Sequence, residues 1–246
     1  MYGWRGRIGL LVPSTNFVAE VEFGKAVPDG VTVHTARCML KDITDWQNEK
    51  DKADSLIQMG KEVVKASREV ACIKPKVLAW TCTSGSFVGG VGYDQELIRK
   101  MEAETSIPAI TTSTSVVKAF KAMKIKKVAF ATPYIKELDD KAKAFFEGSV
   151  PGLKIITLQS LRMISSYEKS VLEPKSAYIA GREVDSSEAD AVFIDGTAWR
   201  SFEIIETLEK DIKKPVISSN SATLWAALKV IGVSGISGYG QLLEKY

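Results

Sequence analysis

The chain has 246 residues, 45% of them apolar, with 33 lysines and arginines against 30 aspartates and glutamates and a net charge of +3. That balance gives no electrostatic reason to bind nucleic acid, and no run approaches the ~18 apolar residues that would span a membrane. Three cysteines, Cys38, Cys72 and Cys82, form no CxxC pair and no disulfide framework. Met1 to Arg7 runs into a strand with no signal-peptide pattern, so the expectation is a cytoplasmic protein.

In chain order, Arg7 to Val12 reads as a buried strand ended by Pro13-Ser14-Thr15-Asn16. Ser14 or Thr15 is of the type that caps the helix expected from about Phe17. Val31 to Leu40 alternates loosely and reads as a second strand. A helix from about Asp51 to Ala71 would carry Ala53, Leu56, Ile57, Gly60, Val63 and Val64 on one face. Val77-Leu78-Ala79-Trp80, bounded by Pro75 and by Gly89-Gly90, is a short strand spilling into Thr81-Cys82-Thr83-Ser84-Gly85-Ser86-Phe87. A helix from Tyr93 to Glu104, a short strand Pro108 to Ile110 and a helix Ser115 to Met123 follow, and Lys124 to Lys127 reads as a solvated loop.

After this loop the chain restarts. Lys127 to Tyr134 matches Arg7 to Ser14 at an offset of 120, Asp190 to Thr197 matches Lys76 to Thr83 at 114, and Pro215 to Ser221 matches Pro108 to Thr114 at 107. Three matches in one order, with prolines and hydroxyl runs aligned, indicate a duplication of about half the chain. Matching polar turns would then face each other across one cleft: Pro13 to Asn16 opposite Pro133-Tyr134, and Cys82-Thr83-Ser84 opposite Gly196-Thr197-Ala198. Turns at the carboxyl ends of parallel strands are where open α/β sheets hold ligands.

Cys82 is therefore the candidate nucleophile. Amide groups in its turn suit a carboxylate, and a following helix would lower the thiol pKa. The competing reading is a free core cysteine. Cys38 and Cys72 read as packing cysteines, His34 as structural, Trp199 and Trp225 as packing residues, and Asp195 as orienting or capping the second turn. No GxGxxG follows the first strand, and there is no Walker lysine, no GxSxG and no metal-ligand spacing. The expectation is no cofactor and no metal.

Cys82-Thr83-Ser84-Gly85-Ser86-Phe87, with Gly89, Gly90, Gly92 and Tyr93-Asp94, resembles the cysteine turn of maleate cis–trans isomerases. Leu11 to Asn16, Thr132-Pro133-Tyr134 and Pro215 to Asn220 resemble other landmarks of that family. Arylmalonate decarboxylases share the scaffold, and both belong with the aspartate/glutamate racemases. The resemblance implies an α/β fold of two pseudo-twofold related Rossmann-like lobes with parallel sheets, the last strand of each repeat crossing into the other lobe. Residues 1–115 plus 218–246 would form the first lobe and 116–217 the second, with the active site between them. It implies that Cys82 is catalytic and that Pro13, Ser14, Asn16, Thr83, Ser84, Tyr134, Gly196, Thr197 and Asn220 bind a small dicarboxylate.

In the isomerases a cysteine stands in both turns; here Gly196 takes the second place. Arylmalonate decarboxylases carry one cysteine, in the second turn, so this chain has the mirror arrangement. The resemblance implies a cysteine-dependent maleate isomerase acting through an enediolate-like intermediate. A decarboxylase with Cys82 as proton donor and a non-catalytic small-anion binder are the alternatives, and a homo-oligomer is left open. Restoring the second thiol with Gly196→Cys is expected to raise isomerisation.

Overall fold

The computed structural model describes residues 1–39 and 49–246. Leu40, the expected end of the second strand, lies outside them. Strands β1 (Gly6–Pro13), β2 (Val31–Cys38), β3 (Val77–Trp80) and β4 (Ala109–Thr111) form a parallel sheet in the order β2-β1-β3-β4. Strands β5 (Lys127–Thr132), β6 (Lys154–Ser160), β7 (Ala191–Ile194) and β8 (Val216–Ser218) repeat it as β6-β5-β7-β8. The short third strands, Val-Leu-Ala-Trp and Ala-Val-Phe-Ile, are buried at every residue, as a parallel sheet covered on both faces requires. The chain is thus an α/β protein of two matching four-stranded parallel sheets.

In each sheet the second and third strands flank the first, so the connections leave in opposite directions between β1 and β3 and between β5 and β7. Such a switch point opens a crevice at the strand ends. Leu11 pairs with Trp80 and Ala131 with Ile194. Two residues further on, Pro13 therefore comes beside Cys82, and Pro133 beside Gly196.

The crossing expected of the last strands is not what occurs. β4 pairs with β3 and β8 with β7, each inside its own sheet. The helices that follow make the exchange. In α5 (Thr112–Ala122), Phe120 packs edge-on against Phe193 of β7 and against Phe146 of α6 (Lys136–Ser149), on the second sheet. Helix α10 (Ser219–Ile231) packs on β3, β4 and α5, with Thr223 Oγ1 donating to Thr112 Oγ1 at 3.0 Å. A three-residue strand keeps its backbone groups paired at home, while an apolar helix face is free to cover the neighbouring sheet.

Two local expectations are corrected. Helix α1 (Val18–Ala26) is capped by Asn16, whose Oδ1 accepts from the amides of Val18 and Ala19 at 2.9 and 3.2 Å, rather than by Ser14 or Thr15. In α2 (Glu49–Ala71), Ala53, Leu56, Gly60 and Val63 are buried as expected, together with Met59, Ala66 and Val70. Ile57 is exposed and Val64 half-buried, because a stripe at helical spacing turns away from both.

The aromatic cluster of Phe87, Phe120, Phe130, Phe145, Phe146 and Phe193 joins the helix after Cys82 to the second sheet. Phe146 is wholly buried at its centre. Phe146→Ala should lower unfolding stability by about 3–5 kcal/mol through the cavity it leaves, measured by urea titration.

Candidate active site

Cys82 ends the β3 turn with extended backbone and caps α3 (Thr83–Phe87) with its own sulfur, which accepts the Gly85 amide at 3.3 Å. A β-carbon on Gly85 would stand 2.8 Å from that sulfur, so only glycine lets the amide approach. Cys82 lines a narrow cavity of about 30 Å³, counted as space open to the centre of a water molecule, between the two sets of strand ends. Pro13, Asn16, Thr83 and Ser84 line it from the first half; Tyr134, Gly196 and Thr197 line it from the second.

The two turns are locked together by buried hydrogen bonds. Asn16 Nδ2 donates to Thr197 Oγ1 at 3.0 Å, and Thr197 Oγ1 donates to the Thr81 carbonyl at 2.9 Å. Thr83 Oγ1 donates to Ser219 Oγ at 2.9 Å, and Ser219 Oγ donates to Asp195 Oδ1 at 3.0 Å. The Tyr134 hydroxyl donates to the same carboxylate oxygen at 3.0 Å, and the Gly196 amide donates to Ser219 Oγ at 2.9 Å. Asp195 thus organises the second turn, and Tyr134, buried beside it, is no surface tyrosine.

Ser14 and Asn220 do not line the cavity. Asn220 Nδ2 donates to Glu22 Oε2 at 2.6 Å and to the Thr197 carbonyl at 3.0 Å, behind the second turn. Its position at the start of α10 aims it at α1 instead. His34 lies outside the cavity, with its Nε2 3.0 Å from Thr32 Oγ1. Trp199 both packs and lines the cavity, its Nε1 donating to Ser176 Oγ at 2.8 Å. Cys38 is buried, but Cys72 is exposed and is not a packing cysteine.

Two lining residues had no place in the sequence reading: Lys52 of α2 and Lys169 of α7 (Ser166–Ser170). Both are buried, and Lys52 Nζ donates to Ser166 Oγ at 2.8 Å. Lysines at exposed helix spacing read as solvated, so periodicity gave no cue to either.

Burial governs the ionisation of every group here. It pushes the Cys82 thiol up, against the Gly85 amide, the Ser84 hydroxyl and the two lysines, so the helix does not lower the thiol as its position suggested. It brings Lys169 down to about 8, opposed by the charges of Cys82 and Asp139. Lys52 is pushed well below its ordinary range by burial and then by Lys169. Asp195 is raised to about 6 by burial, against bonds from Ser219 and Tyr134. Tyr134 is raised by burial and then by the Asp195 charge.

Gly196 has φ +111°, and a β-carbon there would lie 3.0 Å from Pro133 Cγ. The turn that lacks the second thiol is therefore shaped for glycine.

The arylmalonate decarboxylase family model matches residues 8–243. The chain belongs to this family. A maleate isomerase of Nocardia farcinica is 26% identical, covering 97% of this chain and 96% of that protein. Arylmalonate decarboxylase of Bordetella bronchiseptica is 24% identical, covering 97% and 96%. Among solved structures, a Nocardia farcinica maleate cis-trans isomerase mutant with a covalently bound succinylcysteine intermediate superimposes with a TM-score of 0.88 at 24% identity, over 98% of both chains. A liganded double mutant of arylmalonate decarboxylase, glycine to cysteine and cysteine to serine, gives 0.85 at 22% identity, over 98% and 99%. The relatives are enzymes of both kinds. Among the described residues no group of side chains could hold a metal ion, and no helix is long and apolar enough to cross a membrane.

Burial raises Glu22 from an ordinary 4.5 to about 7, partly opposed by the Phe202, Ser201 and Asn220 donors. The folded chain thus holds a proton that the unfolded chain releases between these values. The associated stability is full below 4.5 and lost as pH rises through 7. The stability difference between Glu22→Gln and the parent should shift in favour of the variant by on the order of 3 kcal/mol between acid and alkaline pH, read by denaturant titration at both ends. Gly196→Cys should cost about 1–2 kcal/mol of stability from backbone strain, which a melting curve would register.

Proposed function

We propose that this chain isomerises a small cis-dicarboxylate across its double bond, with Cys82 as nucleophile, as its maleate isomerase relatives are named for doing. The observation that carries the reading is that Cys82 is the cysteine lining the inter-sheet cavity, opposite Tyr134 and Gly196. The Cys82 thiol first gives up its proton, the Gly85 amide and Ser84 hydroxyl favouring the thiolate, and the thiolate adds to one alkene carbon. A C–S bond forms, and the π pair moves onto the other carbon and its carboxylate as an enediolate. The carbon–carbon bond is now single and rotates. Collapse of the enediolate expels the thiolate and leaves the trans isomer.

No proton is gained or lost over this cycle, so a second thiol is not required. The covalent succinylcysteine of the Nocardia farcinica relative is the protonated counterpart of such an adduct. Ser84 supplies the hydroxyl donor beside Cys82 for the enediolate, those of Thr83 and Tyr134 being engaged by Ser219 and Asp195. Decarboxylation draws on burying a carboxylate against apolar walls. The buried Lys169 in this wall acts the other way, its ammonium group stabilising the carboxylate.

Maleate and substituted malonates should be followed by NMR. Maleate should convert to fumarate, and Cys82→Ala should abolish the conversion with an unchanged circular dichroism spectrum. Because Cys72 is exposed, thiol labelling belongs in a Cys72→Ser background, where maleate should protect Cys82 from iodoacetamide. Conversion that survives Cys82→Ala, or release of CO₂ from a malonate without maleate turnover, would overturn the reading.

A further inference from the structure

Where a second thiol would stand, the chain puts a tyrosine backed by a carboxylate. A β-carbon on Gly196 would lie 3.8 Å from the Tyr134 hydroxyl oxygen, and both residues line the cavity opposite Cys82. The Tyr134 hydroxyl and Ser219 Oγ both donate to Asp195 Oδ1, each at 3.0 Å. Asp195 Oδ2 is buried with no hydrogen bond among the described residues. The residue is wholly enclosed, and among the described residues no lysine or arginine forms an ion pair with it.

This arrangement opposes a dianion in two ways. A hydroxyl that gives its proton to Asp195 turns oxygen lone pairs toward an entering carboxylate, and the charge behind it repels that carboxylate. Protonating Asp195 reverses both. The neutral acid can donate to the Tyr134 oxygen, and the phenolic proton, which Tyr134 keeps throughout, is free to turn to the substrate. One proton enters from solvent and makes one O–H bond on Asp195; no bond of the substrate changes. Burial has already brought Asp195 up to about 6, so this proton is within reach near neutral pH.

We propose that Asp195 is a positioning residue acting through Tyr134: the site takes up one proton on Asp195 with each dicarboxylate it binds, and Tyr134 thereby changes from a partner inside the second turn to a donor for the substrate. This rests on the reading of the cavity as a dicarboxylate site and deepens it. The proton leaves again with the product, so the isomerisation remains proton-neutral.

Other titratable groups surround the pair. Cys82 faces Tyr134 from the first turn, and Lys169 of α7 feels the charges of both Cys82 and Asp195. Lys52 of α2 is coupled to Lys169 and Cys82. Asp139 of α6 is held by Thr132 and Arg162. Glu22 of α1 lies behind the second turn, bonded to Asn220. From α10 the group that meets Asp195 is the Ser219 hydroxyl.

The test therefore uses the full chain carrying Cys82→Ser, which cannot turn over substrate and has no thiol to titrate, and compares it with the same chain carrying Asp195→Asn. The added amide can donate to Tyr134 and accept from Ser219, as the neutral acid would. Maleate is titrated calorimetrically in buffers of different ionisation enthalpy, which counts the protons bound. At pH 7.5 the Cys82→Ser chain should take up close to one proton more than the Asp195→Asn chain. At pH 8 Asp195→Asn should bind maleate about ten- to hundredfold more tightly, an advantage that closes toward pH 6. A merely structural Asp195 would give the opposite sign, weaker binding at every pH. Glu22→Gln should leave the proton count unchanged.

Equal uptake in the two chains, or weaker maleate binding by Asp195→Asn at pH 8, would overturn the role of Asp195 and leave the dicarboxylate site standing. Should Asp195→Asn not fold, the Cys82→Ser chain decides alone, since binding at pH 7.5 without proton uptake overturns the proposal. If that chain binds no maleate at any pH from 6 to 8, the dicarboxylate reading fails as well.

Discussion

The relay from Thr83 through Ser219 to Asp195 and Tyr134 is the constraint on which the site depends. Thr83 is the first residue of the helix after Cys82, and Ser219 is the first residue of the helix after β8. Their hydroxyls meet at 2.9 Å, so the thiol turn and the opposite turn are held at a fixed separation. Each member is buried, and removing one would leave another without a partner where water cannot replace it. Because α10 crosses onto the first sheet, this link is made by chain that begins in the second half.

Around that frame the site is electrically unsettled. Burial disfavours the charged forms of Cys82, Lys52, Lys169 and Asp195 at once. Thiol and lysines moderate one another, since an ion pair in a cavity is less unfavourable than either ion alone. Groups held in this state cluster where chemistry is done. A structural core of this size would have placed apolar side chains at the same positions.

The family resemblance and the asymmetry of the turns fit one picture. The chain spans its maleate isomerase and arylmalonate decarboxylase relatives almost end to end. Within that scaffold the thiol stands on the first turn, and the second turn adopts a positive φ at Gly196, with Pro133 packed close against it. Loss of the second thiol is thus accompanied by a turn whose backbone geometry favours glycine. Nucleophilic addition and elimination at one sulfur remain compatible with it.

Much of this was legible in the residues themselves. The duplication showed in matched prolines and hydroxyl runs, and it led to two sheets with their polar turns facing one another. Cys82, Thr83, Ser84, Tyr134, Gly196 and Thr197 could be grouped because each sits in such a turn, and a turn after a short buried strand is fixed by local pattern. Lys52, Lys169 and the true partners of Asn16 and Asn220 were not legible. Nothing local distinguishes a lysine on a solvated helix from one drawn under a neighbouring helix, or tells an amide aimed at a ligand from one tied to Glu22. The sequence by itself determined the strands, the repeat and the thiol turn, because these follow from hydrophobic period and backbone preference within a few residues. Only the tertiary structure decided which helices cross between the sheets and which cations are shut inside, because burial is set by what packs against a residue from far along the chain.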